Sequence, residues 1–113
     1  MVSFAGRSVL LTGDLEKAGT ALVVQRPPVA ADVVMAPHHG SRGASGRDFR
    51  DWAKPKFVVV SKGHRDTSVI SDSDLPNVTV WDTPHYGAVT VRAHKTGIVA
   101  EAFKTGERVV VKR

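Results

Sequence analysis

Short apolar runs rich in β-branched residues alternate along this chain with polar segments that contain glycine or proline. Residues 2–4 and 8–12 are predicted strands, joined by a tight glycine-containing turn. Residues 31–36 and 57–61 have the length and the valine content of buried strands. Residues 78–81 form a further predicted strand. The apolar pattern therefore favours a sheet whose strands are separated by longer connections.

Two of these connections show helical periodicity. Residues 14–24 place Leu15, Ala18 and Leu22 on one face, and Asp14 is a plausible N-cap for this helix. Residues 47–53 form a second predicted helix, whereas residues 39–46, rich in glycine and serine, are predicted to be a flexible loop. Residues 88–111 alternate as three strands of an antiparallel meander, with breaks at 95–97 and 104–106. The expected fold class is α/β, an α+β layered domain with an antiparallel C-terminal tail.

The composition limits the chemistry that is open to this chain. Its 113 residues suffice for one domain, and 42% of them are hydrophobic, enough for a packed core. No apolar stretch approaches the ~20 residues of a membrane span, and no secretory signal is recognisable at the N-terminus. Because the chain has no cysteine, disulfides and thiolate metal sites are excluded. Any metal ion must use histidine, carboxylate or water ligands.

The net charge is strongly positive, which favours a polyanionic partner. The formal charge is +5 and the sequence pI is about 10.0. A basic balance of this size suits DNA or another phosphodiester. The positive residues are spread over the chain without a basic run, so solubility alone accounts for them equally well.

Two motifs carry the candidate chemistry, and each follows a predicted buried strand. Thr12-Gly13-Asp14 follows the first, and Pro37-His38-His39-Gly40-Ser41 follows the second. A carboxylate and imidazoles at neighbouring strand ends can hold metal ions along one edge of a sheet. Asp14, His38 and His39 are thus the predicted catalytic and metal-binding residues. Adjacent side chains diverge, so one of the two histidines can bind metal while the other supports it or contacts the substrate.

Three further residues are candidates for substrate contacts. The turn after the histidines offers backbone N–H groups, the Ser41 hydroxyl and the Arg42 guanidinium, which could bind a phosphate group. His64 lies in a polar segment after the next strand and could reach the same edge. An ordinary flexible turn explains Ser41 and Arg42 about as well. His85 and His94 are interpreted as structural or solvent-facing, and Trp52 and Trp81 as core residues.

Four segments together resemble the metallo-β-lactamase fold. They are the two motifs with their strands (residues 10–14 and 31–41), residues 54–61, and residues 83–91. The order and spacing are most similar to the C-terminal hydrolase domain of ComEC-type competence proteins. The resemblance implies an αββα sandwich with a hydrolytic site for two metal ions, zinc or manganese. It also implies that Asp14 bridges the ions and that one of the two histidines is a terminal ligand; His38, which lies nearer the strand end, is the expected one. The implied substrate is a phosphodiester, and the implied parent protein is a bacterial inner-membrane protein of DNA uptake.

The chain departs from this family in its amino-terminal half. The His-x-His-x-Asp-His motif and the further histidine that supply most ligands are absent, and residues 62–67 lack the Asn-x-Tyr-Gly-His-Pro pattern. Residues 1–113 are therefore interpreted as one partial domain, the second half of the sandwich, soluble by itself and with little or no turnover. Its missing half would be supplied in cis or in trans, and the uncovered sheet face would be apolar. The alternatives are another hydrolase of this fold (lactonase, thioesterase or RNA-processing) and a non-enzymatic basic module that binds nucleic acid.

Overall fold

The computed structural model describes residues 1–63, 70, 75 and 77–111. Eight strands lie in these ranges: β1 (Val2–Phe4), β2 (Arg7–Leu10), β3 (Val33–Met35), β4 (Phe57–Val60), β5 (Thr79–Asp82), β6 (Val89–His94), β7 (Gly97–Ala102) and β8 (Arg108–Val111). The same ranges contain four helices: α1 (Lys17–Val23), α2 (Arg42–Ser45), α3 (Arg47–Ala53) and α4 (Thr83–Tyr86). No helix in this part of the chain combines the length and apolarity that crossing a membrane requires.

The strands form two sheets. The first has the order β1-β2-β3-β4-β5, with β2 to β5 parallel and β1 antiparallel at one edge. The second is the antiparallel meander β6-β7-β8. The mixed α/β class and the C-terminal meander predicted from the sequence are confirmed.

Alternate residues of the central strands face opposite layers, as the two-residue period of a strand requires. Val33, Phe57 and Trp81 point toward the meander and pack on Ile98 and Ala100. On the opposite face, one cluster joins Val34 to helix α3, and a second cluster lies next to it. Because both faces of β3 and β4 are covered, the expected apolar sheet face is not exposed. The exposed apolar side chains of this sheet are Val2 and Phe4 on β1 and Met35 at the end of β3.

The first helix differs from its prediction in both its start and its buried face. It begins at Lys17, with Glu16 at the N-cap position and no side-chain capping bond, so the prediction that Asp14 caps the helix is wrong. Leu22 is exposed, whereas Thr20 is buried and donates a hydrogen bond to the carbonyl of Ala44 at 2.9 Å. The contact with residues 42–45 determines which face of α1 is buried. The apolar face predicted from the sequence did not include Thr20.

The predicted flexible loop at residues 39–46 is also wrong, because residues 42–45 form α2. The Ser41 hydroxyl accepts the N–H of Ala44 at 3.3 Å and caps this short helix. The Ser45 hydroxyl is buried and donates to the carbonyl of Pro37 at 2.7 Å. Small residues thus allow close packing here, and these two hydroxyl hydrogen bonds order the segment.

Candidate metal centre

The candidate site lies at the edge where the parallel strands end. Strands β2 and β3 are neighbours and run in the same direction, with Val9 opposite Val33 and Leu10 opposite Val34. The segments that follow them therefore leave the sheet side by side. This topology places Thr12-Gly13-Asp14 next to the turn Pro37–Gly40, as the sequence predicted.

Three contacts connect these two segments, residue by residue. The Thr12 hydroxyl donates to the carbonyl of Met35 at 2.6 Å, and the His38 N–H donates to the carbonyl of Gly13 at 3.3 Å. Next along the chain, Asp14 Oδ1 lies 3.6 Å from His39 Nε2. Two hydrogen bonds thus fix the register of the two segments, and the carboxylate and imidazole face each other as a result.

The His39 ring is held from its other side. Its Nδ1 lies 2.9 Å from the carbonyl oxygen of Ser61, which follows β4. Because a carbonyl can only accept, Nδ1 carries the hydrogen in this contact, and Nε2 of the neutral ring has a free lone pair. Metal-binding histidines are commonly oriented in this way, by a backbone carbonyl on the second ring nitrogen. The free lone pair of His39 is on the atom nearest Asp14.

His38 points to different neighbours. Its Nε2 lies 3.8 Å from Glu16 Oε1, and its Nδ1 lies 3.3 Å from the Ser41 hydroxyl. The rings of His38 and His39 are tilted by 44°, with their centroids 6.3 Å apart. Asp14 therefore faces His39, while the second imidazole faces Glu16.

Both histidines have left-handed backbone conformations, with φ of 49° at His38 and 55° at His39. Such values are unfavourable for residues with a Cβ and cost about 1–2 kcal/mol each. Gly40 follows with φ of 80°, and a Cβ there would lie 2.6 Å from Cγ1 of Val60. Three consecutive left-handed residues thus reverse the chain tightly above β4. Strain of this kind is concentrated at functional sites.

The donor set fits part of a metal site. Zinc ligands lie about 2.0–2.2 Å from the ion, so two of them in tetrahedral geometry are about 3.4 Å apart. The 3.6 Å between Asp14 Oδ1 and His39 Nε2 is close to that separation. Zinc sites use three or four protein ligands. In the described ranges, no cluster of three or more His, Asp or Glu side chains could hold an ion. The described residues supply two converging donors, fewer than a catalytic site needs.

Of the three predicted substrate contacts, the structure describes Ser41 and Arg42, which follow the histidine pair. The N–H of Ser41 donates to the carbonyl of His38 at 3.0 Å and its hydroxyl caps α2, so both groups are used within the turn. Arg42 begins α2 and lines a cleft with Lys17 and Arg47. His64 lies outside the described residues.

Two features of this edge were missed by the sequence interpretation. The Ser61 carbonyl has no side-chain signature, so its contact with His39 could not be found from the sequence. His85 was interpreted as structural or solvent-facing, and it is exposed. What was missed is its contact with Asp82, whose two carboxylate oxygens lie 2.8 Å from His85 Nδ1. The signal was available, because Asp82 directly follows the predicted strand 78–81 and His85 comes three positions later. Trp81, by contrast, is buried as predicted.

Comparison with known proteins gives one informative match. No family model matches the chain. No solved structure matches it either. The chain is 44% identical over 94 residues to ComE operon protein 3 of Bacillus subtilis (strain 168), an alignment that covers 77% of this chain and 12% of that protein. The chain is thus a homologue of one short segment of ComE operon protein 3.

Proposed function

We propose that this chain is part of a metal-dependent hydrolase that acts on phosphodiesters during DNA uptake. In this proposal, Asp14 and His39 provide two ligands for a zinc or manganese ion. The remaining ligands come from a separate segment, in the same chain or in another. The observation that carries the proposal is the 3.6 Å approach of Asp14 Oδ1 to His39 Nε2 at the end of two parallel strands.

The similarity to ComE operon protein 3 supports the biological setting of this proposal. The four segments that resemble ComEC-type hydrolase domains include both motifs at this edge. The identity of 44% over 94 residues supports a role in competence. The metallo-β-lactamase sandwich belongs to the same proposal, and the parallel order β2-β3-β4-β5 with helices on one face is compatible with half of it.

His39 replaces His38 as the preferred ligand. Its Nδ1 donates to a fixed backbone carbonyl and its Nε2 faces the carboxylate, as a histidine ligand requires. His38 contacts Glu16 and Ser41 instead. In the proposal, His38 supports the turn and Glu16 adds negative charge beside the ion.

A bound divalent ion would supply activated water and neutralise the phosphate charge. The chain's own residues position it: Thr12 and Gly13 fix the segment of Asp14, and Ser61 orients the His39 ring. Two protein ligands are too few to hold a zinc ion at catalytic strength. The isolated chain is therefore expected to bind zinc weakly and to hydrolyse bis-(p-nitrophenyl) phosphate no faster than zinc alone.

Isothermal titration with ZnCl₂ tests the proposal. We expect weak binding by the wild type and a clear loss of binding in Asp14→Ala and in His39→Ala. The matched control is His94→Ala, which removes an exposed imidazole from β6 and should leave the affinity unchanged. Equal affinities for all four proteins would contradict the proposed pair, and robust turnover by the isolated chain would contradict the missing-ligand account.

A further inference from the structure

The meander presents an unusually exposed aromatic side chain near the carboxyl edge of the parallel sheet. Phe103, in the turn after β7, is 87% exposed, the highest value among the large hydrophobic residues of the described ranges. A single exposed apolar residue is ordinary on a protein surface. The surroundings of Phe103 are what give it significance.

The turn that carries Phe103 is tied to the segment after β5. The Phe103 N–H donates to the carbonyl of Ala88 and the Lys104 N–H to that of Tyr86, both at 2.9 Å. Within the turn, the Gly106 N–H donates to the carbonyl of Ala102 at 2.9 Å. These bonds fix the backbone, so the aromatic ring is held in solvent by an ordered turn.

Close backbone approach at Gly87 completes this connection. Gly87 has a φ of 73°, and a Cβ there would lie 2.8 Å from Cβ of Lys104. The missing side chain lets the turn lie directly against α4. On the other side of α4, Tyr86 stacks on Trp81 with centroids 4.7 Å apart and planes within 11°. The turn that carries Phe103 is thereby connected, through α4, to the buried core residue Trp81.

Two polar side chains, Lys104 and His85, lie beside this turn. Lys104 is exposed, and its Nζ donates to the carbonyl of Pro84 at 3.0 Å, leaving two further N–H donors on the ammonium group. His85, the next residue, is exposed and contacts Asp82. Two carboxylates belong to these segments: that of Asp82, which contacts His85, and that of Glu107, which is exposed in the same turn.

An exposed aromatic ring beside a lysine is the combination with which proteins bind single-stranded nucleic acid. Bases stack on the ring irrespective of their sequence, and cations contact the phosphates. Double-stranded DNA offers no free base face, so the ring selects for a single strand. We propose that Phe103 and Lys104 form a binding surface for single-stranded DNA, with His85 at its border; this rests on the proposed action on phosphodiesters.

The position of this surface suits a substrate of the candidate metal centre. Strand β5 lies two strand spacings from β3, about 10 Å along the sheet edge. The contacts that join them are continuous: Ser61 contacts His39, and the neighbouring Lys62 exchanges hydrogen bonds of 3.2 Å with the Thr83 hydroxyl. A stacked strand covers about 10 Å in three nucleotides. The separation of these two strand ends therefore corresponds to about three nucleotides.

Fluorescence anisotropy with a labelled oligothymidine of about twelve nucleotides, in buffer with EDTA, tests this surface. Base stacking predicts that Phe103→Ala weakens binding roughly 5- to 150-fold. Its control is Phe4→Ala, which removes an exposed aromatic ring from β1 at the far edge of the sheet and should bind like the wild type. The Phe103 effect should be absent with a duplex of the same length.

The charge is tested separately, by salt dependence. Lys104→Ala should lower the slope of log affinity against log salt by about 0.7, the value for one phosphate contact on a single strand. Phe103→Ala should leave this slope unchanged. The matched control for charge is Lys95→Ala, at the opposite end of the β6–β7 hairpin. Circular dichroism and thermal melts confirm that each variant is folded.

The surface is rejected if the wild type does not bind the oligonucleotide, or if each variant behaves like its control. This result is distinguishable from failure of the metal site. Phe103→Ala and Lys104→Ala should bind zinc like the wild type, whereas Asp14→Ala and His39→Ala should lose zinc binding. The converse, intact zinc binding with no oligonucleotide binding, would remove the surface and leave the metal proposal standing.

Discussion

Nε2 of His39 lies 3.6 Å from Oδ1 of Asp14, between segments that follow two neighbouring parallel strands. Both side chains are largely exposed, at 60% for His39 and 83% for Asp14. Even as a charged pair, side chains this exposed would contribute only about 0–1 kcal/mol to stability. The strain of the histidine backbone is larger than this gain. The folded state therefore has little to gain from this pair, which is consistent with a role in binding.

Thr12→Val should weaken the alignment of Asp14 with His39 although it changes neither residue. The substitution removes the 2.6 Å hydrogen bond to Met35, which costs about 1 kcal/mol of unfolding free energy. We also expect weaker zinc binding, because the segment of Asp14 loses one of its two hydrogen bonds to the neighbouring turn. Chemical denaturation and calorimetry measure the two effects. Thr90→Val, on an exposed position of β6, should change neither; unchanged zinc affinity in Thr12→Val would contradict the alignment role.

Glycine should be tolerated at position 38 better than alanine. His38 has a φ of 49°, where glycine avoids the steric cost of a Cβ. We expect His38→Gly to be more stable than His38→Ala by about 1 kcal/mol. At His94, inside β6, the order should reverse, because glycine weakens a strand by about 0.5–1 kcal/mol. Urea denaturation of the four variants measures both differences; the same order at both positions would contradict the strained turn.

Gly40→Ala should be much more damaging than Gly13→Ala. Both glycines have positive φ, but only at Gly40 would a Cβ meet a neighbour, Cγ1 of Val60 at 2.6 Å. We expect a loss of about 1 kcal/mol at Gly13 and about 2–4 kcal/mol at Gly40, where overpacking adds to the backbone strain.

A double-mutant cycle with Val60→Ala isolates the clash at Gly40. Removing the methyl groups of Val60 should make Gly40→Ala less costly by at least 1 kcal/mol, measured by thermal or urea denaturation. Strict additivity of the two substitutions would show that the close approach of the turn to β4 is not the cause.

The strands and their order could be predicted because their signals are local. Val33-Val34 and Phe57–Val60 are short β-branched runs, and burial on both faces explains why they are continuously apolar. Neighbouring parallel strands end at the same edge of a sheet. This rule predicted that Asp14 lies beside the histidine pair. Which histidine faces Asp14 depends on positive φ angles at His38 and His39, which residues other than glycine rarely adopt. The sequence could not predict these angles, so His38 was preferred because it lies nearer the strand end.

The misjudged elements depend on contacts between distant residues. Helix α2 has a glycine-rich sequence, and its buried Ser45 is hydrogen-bonded to Pro37. The orientation of α1 follows from the hydrogen bond of Thr20 to Ala44 in α2, so a periodic pattern within α1 could not reveal it. Asp14 satisfied the requirements for an N-cap as well as those for a ligand, and the start of the helix at Lys17 excludes the N-cap role.

Anomalous diffraction at the zinc absorption edge, from crystals grown with ZnCl₂, tests the central claim most directly. The account predicts a peak within about 2.0–2.2 Å of both Asp14 Oδ1 and His39 Nε2. His38 should remain outside this distance. The absence of a peak between Asp14 and His39, or a zinc ion bound by His38 and Glu16 alone, would contradict the account.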